Sequence, residues 1–224
     1  MLQSRLRTLA AEWARANAPI VEADLLSSFD HAVQRGVNCT FAIGRELTKA
    51  RKPRLLSCYS GELFVFELSQ RQAQSFNALD HTMECVECGP SLEIPPGARP
   101  PIDIGELHID HADRLSPDQP IQGRVEYELR EEFDFSGTVC LSMAFALGDR
   151  CLTTRYHYPF PPLRLSPKGN MDFTFNSVAT SQGAAKDWSG PIVAHVRLLG
   201  TMHPQSPDGR VPMSNTCALL LDVL

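Results

Sequence analysis

The chain has 224 residues, 43% of them hydrophobic and 21% charged, with a net charge of −5. This is ordinary globular usage, which excludes a disordered tail, a collagenous chain and a coiled coil. Charge is uneven: residues 1–57 hold nine Lys/Arg against five Asp/Glu, and the rest holds twelve against twenty-one, so the acidic body has no general attraction for nucleic acid.

Ser4–Asn17 places Leu6, Leu9, Ala10, Trp13 and Ala14 at helical spacing, with arginines on the other face. The spread of Arg5, Arg7, Glu12 and Arg15 is that of an amphipathic helix and not of a signal peptide. Pro19 favours a stop near Asn17. A second helical pattern covers Glu22–Gln34, with Leu25, Leu26, Phe29 and Val33 on one side and Gly36 where a left-handed cap belongs. Val37–Lys49 fits two templates: Val37, Cys39, Phe41 and Ile43 alternate as a strand does, while Val33, Val37 and Phe41 continue a helical stripe. Arg45–Arg54 carries five positive charges against Glu46, which reads as a solvated connector or a contact for an acidic partner. Leu55–Ser60 and Glu62–Ser69 read as two strands around Gly61, with Leu63 and Val65 inward, and Gln70–His81 as a short helix. Four prolines and a glycine in Glu93–Pro101 mark a linker.

Beyond the linker the alternation is regular. Strands are expected at Ile104–Ala112, Gln119–Arg130, Thr138–Leu147, Cys151–Tyr158, Met171–Val178, Ile192–Leu199 and Thr216–Leu224, with no helix-length periodic segment among them. Period-two patterning with one wet face per sheet is the mark of antiparallel sheets. The expected fold class is therefore α+β. A helical or mixed region occupies 1–92, a Pro-rich linker 93–101, and a seven-stranded antiparallel sandwich 102–224. On its strand count and alternation, Ile102–Leu224 resembles an immunoglobulin-like or fibronectin type III-like β-sandwich, a likeness that implies architecture and not activity.

Four groups of residues are candidates for function. Cys85 and Cys88 form a CxxC followed by Gly89-Pro90, which reads either as two thiols in a loop before the linker or as a metal site, since two thiolates at that spacing can hold a metal, zinc above all. No second CxxC or His pair completes a four-ligand set; Cys39, Cys58 and His81 are the other ligand types nearby. Within Gly105–His111, His108 and Asp110 share a strand face with Glu106, and these are metal-ligand types that also suit the wet face of an edge strand. Tyr156, Tyr158 and Phe160 lead into Pro159–Pro162, a rigid aromatic–proline surface suited either to a partner or to the core. Trp188 lies in a small-residue loop, Ser181–Gly190, and would be a hot spot if exposed. No phosphate-cradling glycine motif and no nucleophile elbow is present in the sequence.

The reading that follows is a non-enzymatic protein–protein interaction or scaffolding module that binds a protein partner or a second copy of itself. It needs no cofactor; zinc is the metal that Cys85 and Cys88, or else His108 and Asp110, would hold. The alternative is a metal- or thiol-dependent enzyme using Cys85 and Cys88, or His108 and Asp110. A structural subunit of a larger assembly is the third. Seven cysteines without framework spacing point to a reducing compartment, hence the cytoplasm. No run of apolar residues is long enough to span a membrane as a helix.

Overall fold

The computed structural model describes residues 2–76, 81–90, 99–130, 138–147, 156–159, 167–175, 190–201 and 210–224. The chain divides into two compact units, one of residues 1–96, 146–153 and 189–193, the other of 97–145, 154–188 and 194–224. Its class is α+β, a helical N-terminus followed by mostly antiparallel sheets.

In the first unit, helix α1 (Leu2–Asn17) is followed by a 3-10 turn (Pro19–Val21) and helix α2 (Glu22–Gln34). The Arg7 Nε donates to both carboxylate oxygens of Asp30, at 2.8 and 3.1 Å, and ties the two helices together. Leu6, Ala10 and Ala14 are buried as the helical spacing requires, but Leu9 is 38% exposed, at the margin of the apolar stripe. Gly36 adopts φ 66°, the left-handed conformation that ends α2, and this stop resolves the ambiguity of the next segment. Strand β1 (Val37–Ile43) therefore begins at once. It is a central strand, paired antiparallel with β2 (Arg54–Tyr59) on one side and β4 (Met83–Pro90) on the other. Strand β3 (Glu62–Glu67) completes the order β3-β2-β1-β4.

The β2–β3 connection has Ser60 at φ 50° and Gly61 at φ 81°. Two positive φ values in a two-residue loop make a type I′ turn, whose twist matches the flanking strands. Asn38 Oδ1 accepts the Ser60 amide at 3.0 Å and anchors the turn to β1. Cys39, Phe41, Ile43, Leu56 and Cys58 join Leu25 and Phe29 in one buried cluster. Burying a side chain such as Phe29 there contributes about 1.5–3 kcal/mol. Leu63 packs against this cluster as expected, whereas Val65, nearer the open end of the edge strand, is 39% exposed. The helix expected over Gln70–His81 is confined to α3 (Gln70–Gln74), opened by a Ser69–Gln72 capping box; residues 77–80 lie outside the described set.

The second unit contains β5 (Ile102–Ile109), β6 (Ile121–Leu129) and β9 (Lys168–Phe175) in one antiparallel sheet of order β5-β6-β9. A five-stranded sheet joins β7 (Thr138–Leu147), β8 (Tyr156–Pro159), β10 (Gly190–Thr201), β11 (Arg210–Pro212) and β12 (Cys217–Val223), in the order β11-β10-β7-β8 with β12 also on β10. Strand β11 has no counterpart in the alternation pattern, since three residues are too few to show a period. The described part of the expected strand Cys151–Tyr158 is only β8.

The β5-β6-β9 sheet buries one face and wets the other. Ile121, Val125 and Tyr127 of β6 and Met171, Phe173 and Phe175 of β9 are all buried, while Gln122, Arg124, Glu126, Asp172 and Thr174 between them are exposed. Two glycines face aromatics across the β6–β9 ladder, Gly123 opposite Phe173 and Gly169 opposite Tyr127. A Cβ at Gly123 would lie 2.6 Å from Phe173 Cζ, and one at Gly169 would lie 2.7 Å from the Tyr127 hydroxyl. Each ring thus occupies the space its glycine leaves, which fixes the register of the pair.

Candidate functional site

The wet face of β5-β6-β9 bears a polar concavity of about 510 Å³. Its placement begins with a parity problem in β5. Ile102 and Ile104 are even-numbered and Ile109 is odd, yet all three are buried, which regular alternation forbids. The register shift between Ile104 and Leu107 is the β-bulge that solves it. Gly105 and Glu106 take up the extra residue, and from there Glu106, His108 and Asp110 turn outward while Leu107 and Ile109 pair inward.

Asn215 holds the start of the bulge. Its Oδ1 accepts the Ile104 amide at 2.7 Å and its Nδ2 donates to the Ile104 carbonyl at 3.1 Å, so one side-chain amide takes the place of a strand partner. The neighbouring Ser214 hydroxyl accepts the Leu198 amide at 2.8 Å and donates to the Asn215 carbonyl at 2.8 Å. The segment around Ser214 and Asn215 therefore links β5 to β10 by hydrogen bonds.

The lining is arranged in cross-strand rows. His108, Arg124 and Asp172 form one, each directly opposite the next. Arg124 Nε donates to Asp172 Oδ1 at 2.7 Å. This hydrogen bond and the Asp172 charge hold the guanidinium above its ordinary pKa, and the Asp110 and Glu126 carboxylates add to the effect. His108 Nε2 lies 3.2 Å from Asp110 Oδ1, with both side chains exposed. In the next row Gln122 stands opposite Thr174, and Asp110 donates its backbone N–H to the Gln122 carbonyl. Glu106 and Glu126 close the other end. Carboxylates at positions 106, 110, 126 and 172 thus surround one guanidinium, and the face is net acidic.

The other expected residues are dispersed. Cys85 and Cys88 lie within β4, not in a loop as their Gly89-Pro90 context suggested. Cys85 is exposed and opposite Phe41, and Cys88 holds the register position opposite Asn38. Positions three apart on a strand belong to opposite faces of the sheet. Among the described residues no group of three or more His, Cys, Asp or Glu converges as a metal site would require. Tyr156 and Tyr158 occupy β8, at register positions opposite Met143 and the fully buried Leu141. Phe160 and Trp188 lie outside the described residues.

The basic stretch is committed within its own unit. Glu46 receives Arg51 and, at 3.8 Å, Arg45, while Glu67 receives Lys52 at 2.6 Å and Arg54 at 2.9 Å. Lys49 Nζ donates to the Arg15 carbonyl at 3.1 Å.

Arg124, Asp172 and Asn215 went unnoticed in the sequence. Arg124 falls within the expected strand Gln119–Arg130, but its pairing with Asp172, 48 residues on, follows from register alone. His195 and Arg197, both buried on β10, were passed over as members of an apolar strand. Two ionisable groups inside an otherwise apolar run were the available signal.

No family model matches the chain, and no curated protein does. Among solved structures, it is similar to a cycloisomaltooligosaccharide glucanotransferase from Paenibacillus sp., crystallised with cycloisomaltoheptaose, at 16% identity and a TM-score of 0.32. The similarity covers 54% of this chain and 14% of that one. It is too weak to carry a fold or an activity. No helix of the described residues is long and apolar enough to cross a membrane.

Proposed function

We propose that the protein is a non-enzymatic binding module, in which an α+β N-terminal unit accompanies an immunoglobulin-like β-sandwich that receives a protein partner on the β5-β6-β9 face. Support for the sandwich comes from two antiparallel sheets, one of which buries a single face. The observation that carries the binding reading is the open polar concavity, into whose lining the bulge turns Glu106, His108 and Asp110. Four carboxylates against one guanidinium favour a partner that presents lysine or arginine. Strand β8, with Tyr156 and Tyr158, ends its sheet among the described residues and offers a second contact by edge addition.

Amide chemical shifts of the labelled full chain, titrated with a lysine- and arginine-rich peptide and with a glutamate-rich peptide of equal length, test this reading. The expected result is a salt-sensitive perturbation confined to β5, β6 and β9 with the basic peptide only. Glu106→Lys with Glu126→Lys should abolish it. Equal perturbation by both peptides, or a response restricted to the first unit, would refute it.

A further inference from the structure

The first unit holds a pair of cysteines that the binding reading does not use. We propose that Cys39 and Cys58 are a site of reversible disulfide formation, taking a small-molecule disulfide such as oxidised glutathione as the oxidant.

The argument rests on register. Strands β1 and β2 are the two interior strands of their sheet, and Cys39 and Cys58 are directly opposed in the antiparallel ladder. Opposed residues of such a pair have Cα atoms about 4.5–5.5 Å apart, whichever type of pair they form. Disulfides span about 4.4–6.8 Å between Cα atoms, so the bond needs no change of strand pairing. Neither cysteine is in a disulfide, and both are buried, at 1% and 4% exposure. They share the helix-facing side of the sheet with the next pair on that face, Phe41 and Leu56. Other cysteines in the described registers face different residues: Cys85 opposes Phe41, Cys88 opposes Asn38 and Cys140 opposes Pro159. Among the described registers, the β1–β2 ladder alone sets two thiols opposite each other.

The chemistry balances in two exchanges. One cysteine, as thiolate, attacks a sulfur of the oxidant, forming a mixed disulfide and releasing one small thiolate. The second cysteine then attacks the protein sulfur of that mixed disulfide, closing the Cys39–Cys58 bond and releasing the other small thiolate. Two protein thiols lose two protons and two electrons, and one oxidant molecule becomes two thiols. Burial sets the rate: exchange waits on opening of the unit, and the product is shielded from reductant once it closes. The exposed Cys85 forms its own mixed disulfide first, without entering the pair.

The test uses the folded full chain equilibrated with mixtures of reduced and oxidised glutathione, then acid-quenched, alkylated and peptide-mapped. The expected product joins the peptides of Cys39 and Cys58. It shows a mass loss of about 2 Da for the pair, reverses with dithiothreitol, and keeps the far-ultraviolet circular dichroism of the untreated protein. Cys85→Ala should leave the bond intact, and Cys39→Ala should abolish it. Because Cys39→Ala removes a core side chain and can impair folding, the mapping of the unsubstituted chain decides alone if that variant is insoluble. Full alkylation of both cysteines at every glutathione ratio would overturn the proposal, as would a bond that forms only in denaturant or that joins either residue to Cys85.

Discussion

Gly123 provides the sharpest test of how the candidate face is built. In Gly123→Ala the new methyl would fall well inside contact distance of the His108 backbone carbonyl oxygen and 2.6 Å from Phe173 Cζ. The carbonyl belongs to strand β5 and cannot rotate away, and Phe173 is 2% exposed, so neither neighbour yields freely. Overpacking of this kind costs about 1–3 kcal/mol. Against it stands the conformational gain of replacing glycine by alanine within a strand, about 0.5–1 kcal/mol. The net expectation is a loss centred on about 1 kcal/mol, which for a chain of this size lowers the melting temperature by roughly 2–4 °C. Gly105→Ala is the matched control, because a Cβ there meets nothing within 4 Å, so it should be neutral or slightly stabilising. Thermal and urea unfolding of the two variants beside the parent, followed by circular dichroism, measure the difference. A cycle with Phe173→Leu separates the ring from the carbonyl: the ring's share appears as a coupling of about 0.5–1 kcal/mol, and the rest persists. If Gly123→Ala unfolds at or above the temperature of Gly105→Ala, the close approach of β5 and Phe173 to Gly123 is wrong.

Asn215→Leu should leave the Ile104 amide and carbonyl without their partner and destabilise the protein by about 1–3 kcal/mol. Hydrogen exchange at the Ile104 amide, bonded at 2.7 Å in the parent, should accelerate more than at Ile109, and uniform acceleration would speak against a local clamp. Glu67 tests the first unit through pH. The hydrogen bond from Lys52, with Lys52 and Arg54 charges adding, holds its carboxyl below the ordinary value of 4.5. A lowered carboxyl contributes stability that is complete above the unfolded-state value and lost as pH falls through the folded one. Glu67→Gln should therefore show its deficit in urea midpoint at pH 7, and the gap to the parent should close below pH about 4. A gap that persists at low pH would assign the effect to packing rather than charge.

The sequence alone carried the parts whose causes are local. The apolar stripes of α1 and α2, the positive φ at Gly36 and Gly61, and the alternation of β6 arise from neighbours a few residues apart, so pattern and backbone chemistry suffice. Glu106, His108 and Asp110 were legible as one outward face for the same reason. What escaped was set by partners far along the chain. Cys85 to Cys88 reads as a loop because Gly and Pro follow it, yet pairing with β1 makes it a strand. The bulge at Gly105 and Glu106 exists because Ile104 and Ile109 must both be buried against the same core, and Asn215, 111 residues on, pairs with the Ile104 backbone on the open edge of β5. Arg124 meets Asp172, Gly123 admits Phe173 and Cys39 faces Cys58 because antiparallel register, set by the burial of whole sheet faces, aligns positions that local sequence leaves independent.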